Sequence, residues 1–248
     1  LDSIQGLRAL AVLLVIAYHY GYPVKNGFIG VDVFFVISGF VITQSLLRNN
    51  TGSKLQDLGN FYIKRIARLF PAFFVVFLFT MLAVFLVYSP NVEVQQNAIK
   101  GSLGAMLALS NFAIPRISGG YFGASGESNP FLHTWSLSVE EQFYFVWPIA
   151  IIGFVGLRKR LFGQLFKVMV WVSGLVVVVT SCWFFLMCSK YGSRINDQWW
   201  FRPLIERNIT PEHFAFYSPF TRAWEFVVGV LVALLLRLKI ISHVLKAG

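Results

Sequence analysis

Charge is scarce in this 248-residue chain: Asp, Glu, Lys and Arg make up 13% of it, where a soluble domain carries about a quarter. That shortage excludes an ordinary soluble globule and a charged, disordered chain. Cysteine is nearly missing as well. Cys182 and Cys188 sit six apart in one apolar run, which excludes a disulfide scaffold. On a helix they point in different directions, so no local metal pair forms, and both are expected to be small buried hydrophobes. There is no Gly-x-Gly-x-x-Gly, Walker loop or nucleophile-elbow serine, and His19, His133, His213 and His243 lack the spacing of a metal site. No metal is expected. Internal repeats and low-complexity tracts are also lacking.

What is present is apolar surface: 56% hydrophobic and 17% aromatic residues, with a mean hydropathy of +0.66. These residues form long runs, the pattern of a polytopic, all-α transmembrane helix bundle. A crossing helix needs about 20 apolar residues, and the expected spans are 4–20, 28–47, 69–88, 141–157, 166–188 and 220–238. The stretch 98–114 is short and holds Ser102, Gly104, Ser110 and Asn111, so it is expected to be re-entrant or interfacial, where protein covers its polar groups. The first 23 residues are expected to be a span and not a signal peptide, because Tyr18-His19-Tyr20-Gly21-Tyr22 offers no small-residue cleavage site. Starting at Leu1 and stopping soon after an apolar run, the chain is expected to be a piece of something longer.

The net charge of +10 comes with no basic stripe interleaved with aromatics, so nucleic acid is not an expected partner. Basic loops on the cytoplasmic side account for it. Arg48, Lys54, Lys64, Arg65 and Arg68 form one cluster, Arg158, Lys159, Arg160 and Lys167 a second, and Arg237, Lys239 and Lys246 a third. The first span then runs outward, the second returns, the third goes out, and the span 141–157 runs inward from an outer mouth. The loop before residue 220, with Trp199, Trp200 and Phe201, is expected outside.

Charged groups within spans are costly and functional by default. Arg8 and His19 lie eleven positions apart in the first span, on one helical face and about 16 Å apart along the axis. Arg8 is either a snorkelling anchor or an anion-binding group, and His19 either an interfacial histidine or a titratable base. Asp32, in Gly30-Val31-Asp32-Val33-Phe34-Phe35-Val36-Ile37-Ser38-Gly39-Phe40, either orients a histidine or caps its helix, and the glycines here allow close helix approach. Arg65 and Arg68, three apart before Pro71, make a guanidinium face suited to phosphate, or a plain positive-inside cluster. The block His133-Thr134-Trp135-Ser136-Leu137-Ser138-Val139-Glu140-Glu141-Gln142-Phe143-Tyr144 gathers a histidine, hydroxyls and two carboxylates at the mouth of a span. Serine-to-carboxylate capping explains one carboxylate but not both. Arg222 and Glu225, three apart, are placed to pair.

These blocks, together with Leu7-Arg8-Ala9 and Asn129-Pro130-Phe131-Leu132, occur in the order seen in the acyltransferase-3 family of integral membrane O-acyltransferases, which the chain resembles from its start to about Leu238. The resemblance implies an enzyme of the bacterial inner membrane, multi-pass, taking an acyl group from cytoplasmic acyl-CoA, most often acetyl-CoA. The acceptor it implies is a hydroxyl of an outer glycan, such as a surface polysaccharide or lipopolysaccharide. The chain would hold roughly the first two-thirds of the family domain, with a fused SGNH-type domain possible beyond it. The functional positions map to Arg8, His19, Arg65 and Arg68, with Glu140 and Glu141 less firmly.

Acyl transfer from a thioester to an alcohol needs a base, an oxyanion stabiliser and an anchor for the donor. His19 is the expected base, because histidine titrates near working pH, oriented by Glu140, Glu141 or Asp32. Arg65, Arg68 and Arg8 are expected to hold the CoA phosphates. Direct transfer is expected over an acyl-enzyme relay through His19 or Ser138. The rival reading is a transporter, which would also keep polar residues in broken spans; a non-catalytic scaffold would need no base aligned with an arginine.

Overall fold

The computed structural model of the chain describes residues 2–24, 26–48, 53–87, 92–118, 129–156, 162–189 and 209–237. Among these residues nine helices form: α1 (Asp2–His19), α2 (Ile29–Arg48), α3 (Lys54–Val87), α4 (Val92–Met106), α5 (Ser110–Ser118), α6 (Thr134–Gly156), α7 (Phe162–Cys188), α8 (Pro211–Tyr217) and α9 (Ala223–Arg237). No strand occurs among them. The all-α expectation holds. Among the described residues three helical stretches are long and apolar enough to cross a membrane, Ile29–Arg48, Leu55–Val87 and Val168–Cys188. The basic residues Arg158–Arg160, Lys239 and Lys246 and the aromatic Trp199–Phe201 lie outside the described residues.

The chain divides into two compact units. One comprises Leu1–Lys54, Val146–Ser181 and Ala223–Gly248, the other Leu55–Phe145 and Cys182–Arg222. The first is organised by α2, which α1 and α9 both pack against. Small residues make this possible. Gly39 of α2 lies against the Phe226 backbone of α9, and Gly229 of α9 lies against the backbone of Val36 and Phe40. A Cβ at either position would overlap main-chain atoms that have nowhere to move. In a membrane, where lipid removes the hydrophobic drive between helices, such backbone proximity supplies the dispersion contacts that hold the pair. Phe35 stacks on Phe226 at 4.5 Å beside the crossing. The second half of α6 joins this unit through the Trp147 indole N–H, which donates to Thr43 Oγ1 at 2.9 Å.

Two helices begin earlier than hydropathy predicts. α3 starts at Lys54, not at 69, because its first turns are polar yet strong in helix formers such as Lys, Leu and Gln. α6 starts at Thr134, not at 141. The stretch 98–114 is not one continuous helix. α4 ends at Met106, Ala108 takes a left-handed φ of 54°, and α5 folds back so that Ala113 meets Gly104. The cysteine expectation is corrected: Cys182 and Cys188 are both exposed. They lie on α7, whose apolar surface is little buried by the chain, the disposition of a helix that faces lipid.

Overpacking the α2–α9 crossing gives the first expected outcome. Gly229→Val should cost about 2 kcal/mol. In detergent that lowers the thermal unfolding midpoint by roughly 4–8 °C. Gly6→Ala, where a Cβ meets nothing within 4 Å, should leave the midpoint unchanged or slightly higher.

Candidate functional site

The site lies in the second unit, between α3 and the beginning of α6. Three contacts set the register of the two helices. The Tyr62 hydroxyl donates to the Phe145 carbonyl at 2.8 Å, Arg65 reaches Glu141 at 3.4 Å, and Phe77 meets Phe131 with ring centroids 5.7 Å apart. As the position on α3 climbs from 62 to 77, its partner falls from 145 to 131, so the elements run antiparallel. The polar block from Thr134 to Gln142 therefore stands beside α3 from Arg65 into its apolar turns. Expecting Arg65 at an inner mouth and Glu141 at an outer one is inconsistent with a pair 3.4 Å apart. The hydropathy boundary failed because a polar block can lie alongside an apolar helix when its groups satisfy one another.

They do. The Ser110 backbone N–H, at the start of α5, donates to Ser138 Oγ at 3.1 Å. The Thr134 hydroxyl lies 2.6 Å from the Phe131 carbonyl and 2.8 Å from Ser110 Oγ. Gln142 and Asn111 join through a pair of amide contacts: Gln142 Nε2 donates to Asn111 Oδ1 at 2.8 Å and to the Ala108 carbonyl at 2.7 Å. Asn111 Nδ2 also donates to the Tyr217 carbonyl at 3.2 Å. The polar residues of the broken α4–α5 segment thus dock it onto α6. Capping by the serines is not what occurs. α6 begins upstream of them, so Ser136 donates to the His133 carbonyl and Ser138 to the Thr134 carbonyl, the back-bonding typical of a helix interior.

The carboxylates have a different partner. Arg65 Nη2 lies 3.4 Å from Glu141 Oε1 and 3.8 Å from Glu140 Oε1. Its guanidinium carbon sits 3.3 Å from the centroid of the Tyr144 ring, and the Tyr144 hydroxyl donates to Glu140. One cation thus serves two adjacent carboxylates and an aromatic face. The remaining Nε–H of Arg65 is buried with no hydrogen-bond partner among the described residues. Beside this cluster opens a cavity of about 680 Å³, lined on α3 by Arg65, Leu69, Phe73, Phe77 and Thr80 among others, on the α4–α5 side by Ala105, Met106 and Ala108, on α6 by Thr134, Leu137, Ser138 and Glu141, and in the turn before α6 by His133. The α6 lining positions recur at helical spacing, so one face of that helix forms one wall.

The structure brings together three of the seven residues singled out from the sequence: Arg65, Glu140 and Glu141. Arg68, one turn farther along α3, is exposed and carries no ion pair among the described residues. Of the two arginines, Arg65 is the one paired with the carboxylates. Arg8, His19 and Asp32 belong to the other unit. Arg8 sits 5.9 Å from the Phe34 ring, His19 is the exposed last residue of α1 with its ring against Tyr18, and Asp32 lies in the first turn of α2. Arg222 is buried, donates to the Phe216 carbonyl at 3.1 Å and faces the rings of Trp135, Phe184 and Phe216. The sequence reading missed Tyr144, although its spacing of four from Glu140 and three from Glu141 is a signal for neighbours on a helix. It also missed the Asn111–Gln142 pair, which no local spacing reveals.

A family profile described as an acyltransferase domain, acyltransferase-3, matches residues 1–245. The chain is 40% identical over 156 residues to the peptidoglycan O-acetyltransferase OatA of Listeria monocytogenes, covering 62% of this chain and 24% of that protein. It is 30% identical over 246 residues to the putative peptidoglycan O-acetyltransferase YrhL of Bacillus subtilis, covering 98% of this chain and 34% of that protein. It is 34% identical over 183 residues to the O-acetyltransferase OatA of Staphylococcus aureus, covering 72% and 30%. The chain thus spans about a quarter to a third of the length of these relatives. No solved structure matches it.

Removing the shared cation should be worse than removing the whole cluster. Arg65→Ala leaves two neighbouring half-buried carboxylates without their shared cation, at a cost of about 3 kcal/mol. Arg65→Met combined with Glu140→Gln and Glu141→Gln should recover most of that loss, read as the thermal unfolding midpoint in detergent. Equal losses in the two variants would mean that the ion pairs contribute nothing.

Proposed function

The chain belongs to the acyltransferase-3 family of membrane proteins, and on that premise we propose that it is the membrane part of an O-acetyltransferase acting on a cell-wall glycan. The donor in this reading is acetyl-CoA, approaching from the cytoplasm, and the acceptor is a sugar hydroxyl on the outer side of a multi-pass bacterial inner-membrane domain. The relatives named for peptidoglycan favour that polymer as acceptor over lipopolysaccharide. The observation that carries the reading is the cavity of the second unit, apolar along most of its length and bounded at one end by the Arg65–Glu141 pair. An acyl thioester arm is a slender, weakly polar chain tied to an anionic head, and such a cavity suits its chemistry.

The residues divide the work. Arg68, exposed and outside the carboxylate cluster, is the better anchor for a phosphate, because its charge is not already balanced by two glutamates. Arg65 keeps one buried N–H, enough to hold a donor oxygen while the ion pairs fix its guanidinium. Arg8 supplies a further positive group. His19 takes the proton from the acceptor hydroxyl, whose own acidity is too low to make it a nucleophile near neutral pH. Asp32, in the same unit, orients that base. Direct transfer is favoured over a relay through Ser138, whose hydroxyl donates to the Thr134 carbonyl and accepts from Ser110.

The test uses the full-length protein in membrane vesicles, supplied with radiolabelled acetyl-CoA and a soluble glycan acceptor. The wild type should form label in alkali-labile ester. Arg68→Ala should raise the donor KM about tenfold, the loss of one charge-assisted contact of roughly 1.4 kcal/mol. His19→Ala should lower kcat by about 100-fold or more. Failure of the wild type to use the thioester would reject the donor, and near-normal turnover of His19→Ala would reject the base.

A further inference from the structure

An acetyl donor raises a question of selection. Each methylene buried in an apolar cavity strengthens binding about fourfold, so a cavity lined mostly by apolar side chains favours longer acyl chains over acetyl. Choosing acetyl therefore requires something at the far end that a longer chain would strike. On α3 the lining of the cavity runs from Arg65 to Thr80, and the stretch from Arg65 to Phe77 covers about 18 Å along the axis. That distance is comparable to the length of an extended pantetheine arm. A donor with its head by Arg65 and Arg68 and its arm laid along α3 brings its acyl group to the level of Phe77.

At that level two aromatic rings meet. Phe77 and Phe131 both line the cavity, with ring centroids 5.7 Å apart and planes inclined at 47°. Phe131 is 2% exposed and is held from the other side. Its backbone N–H donates to Asn129 Oδ1 at 3.0 Å. Its carbonyl accepts from the Thr134 N–H at 3.0 Å and from the Thr134 hydroxyl at 2.6 Å. The Asn129 amide in turn donates to the Asn97 carbonyl of α4 at 3.4 Å. Gly101 of α4 makes room for this turn, since a Cβ there would lie 3.1 Å from the Asn129 side chain and 3.4 Å from Phe131 Cβ. Phe131 thus bridges α4 and α3, its Cβ beside one and its ring on the other. A ring fixed in this way yields less readily than an unbranched thioether such as Met106 elsewhere on the lining.

We propose that Phe77 and Phe131 are specificity-determining residues: their rings stop the acyl end of the donor and select acetyl over longer chains. The proposal rests on the thioester-donor reading above and deepens it by naming what limits the acyl group. The selection is made in binding, so it depends on the second unit alone. Removing either ring opens space into which further methylenes extend. Because the same rings also pack α3 onto the turn before α6, a loss of stability would not distinguish the two roles. A change in the relative affinity for two tails does.

The test uses purified full-length protein in detergent and equilibrium dialysis with radiolabelled S-ethyl-CoA and S-butyl-CoA. These thioethers keep the head and arm but cannot transfer their tails, so binding is read without chemistry. The wild type should bind the ethyl compound at least as tightly as the butyl one. Phe131→Ala and Phe77→Ala should each raise the butyl-to-ethyl affinity ratio about tenfold, approaching the gain from two newly buried methylenes. Phe79→Ala, on the same helix but off the lining and 64% exposed, should leave the ratio unchanged. Thermal unfolding is followed alongside; should Phe131→Ala fail to fold, the half-buried Phe77 carries the comparison through Phe77→Ala and Phe77→Leu. The proposal is overturned if the wild type prefers the butyl tail, if Phe79→Ala shifts the ratio equally, or if the folded Phe77 and Phe131 variants stay within threefold of wild type. The last result is also what a cavity filled by the chain of a membrane lipid would give. A wild type that binds neither thioether overturns the donor reading and this proposal with it, whereas binding with indifferent ratios overturns this proposal alone.

Discussion

A partly buried guanidinium shared by two neighbouring carboxylates is the constraint around which the second unit is organised. Placing Glu140 and Glu141 side by side on one helix commits that helix to a cation, since two desolvated like charges in contact are unfavourable at any plausible effective dielectric. Arg65 on α3 meets the need, and its contact with Glu141 fixes the longitudinal register of α3 on α6. The other contacts follow from that register: Tyr62 reaches the Phe145 carbonyl, Tyr144 is covered by the guanidinium, and Phe77 lands on Phe131. A buried ion pair is weak support for net stability but strong support for a unique alignment, because sliding by one turn would strand a charge. Two mainly apolar helices could otherwise slip past each other at little cost.

The same economy governs the neutral groups. α4 and α5 carry Ser102, Ser110 and Asn111 in an otherwise apolar stretch, and a helix broken at Ala108 exposes unpaired carbonyls and amides. Gln142 accounts for the Ala108 carbonyl and Ser138 for the Ser110 amide. A break of this kind survives at membrane depth only where protein covers it. The broken segment and the polar block of α6 therefore require each other, and each is explained by the other better than by any role of its own.

This mutual dependence determines how much was legible in the sequence. α1, α2, α7 and α9 were readable from apolar runs, since their burial or lipid exposure needs no partner to be inferred. The glycines of α2 announced a close crossing, and Gly39 provides one against α9. The starts of α3 and α6 were not legible, because a hydropathy window counts a polar side chain as costly whether or not another element satisfies it. Arg65 and Arg68 looked like one phosphate-binding face for a related reason. Spacing shows that two side chains leave a helix on the same side, but not that one of them is claimed by carboxylates seventy-six positions away. The two cysteines were misread as buried because an apolar run in a membrane chain has two destinations, a packed interior or lipid, and composition does not separate them.

On the proposed reading, the charge cluster has a consequence for catalysis that its stabilising role hides. Arg65 with Glu140 and Glu141 carries a formal charge of minus one, so the cluster alone would repel an anionic donor, and attraction must come from cations outside it. Arg68 meets that condition on the same helix, one turn along. Arg65 then acts on the donor through geometry more than through charge, offering a single fixed N–H at the entrance to an apolar cavity. Such a division separates capture from alignment. The exposed arginine, reachable from solvent, draws in the phosphate head, while the partly buried one, held by its ion pairs and by the Tyr144 ring, sets where the arm enters. Alignment that is already fixed before the donor arrives costs no ordering at the moment of reaction, which is what a cation tied to two carboxylates provides and a free one does not.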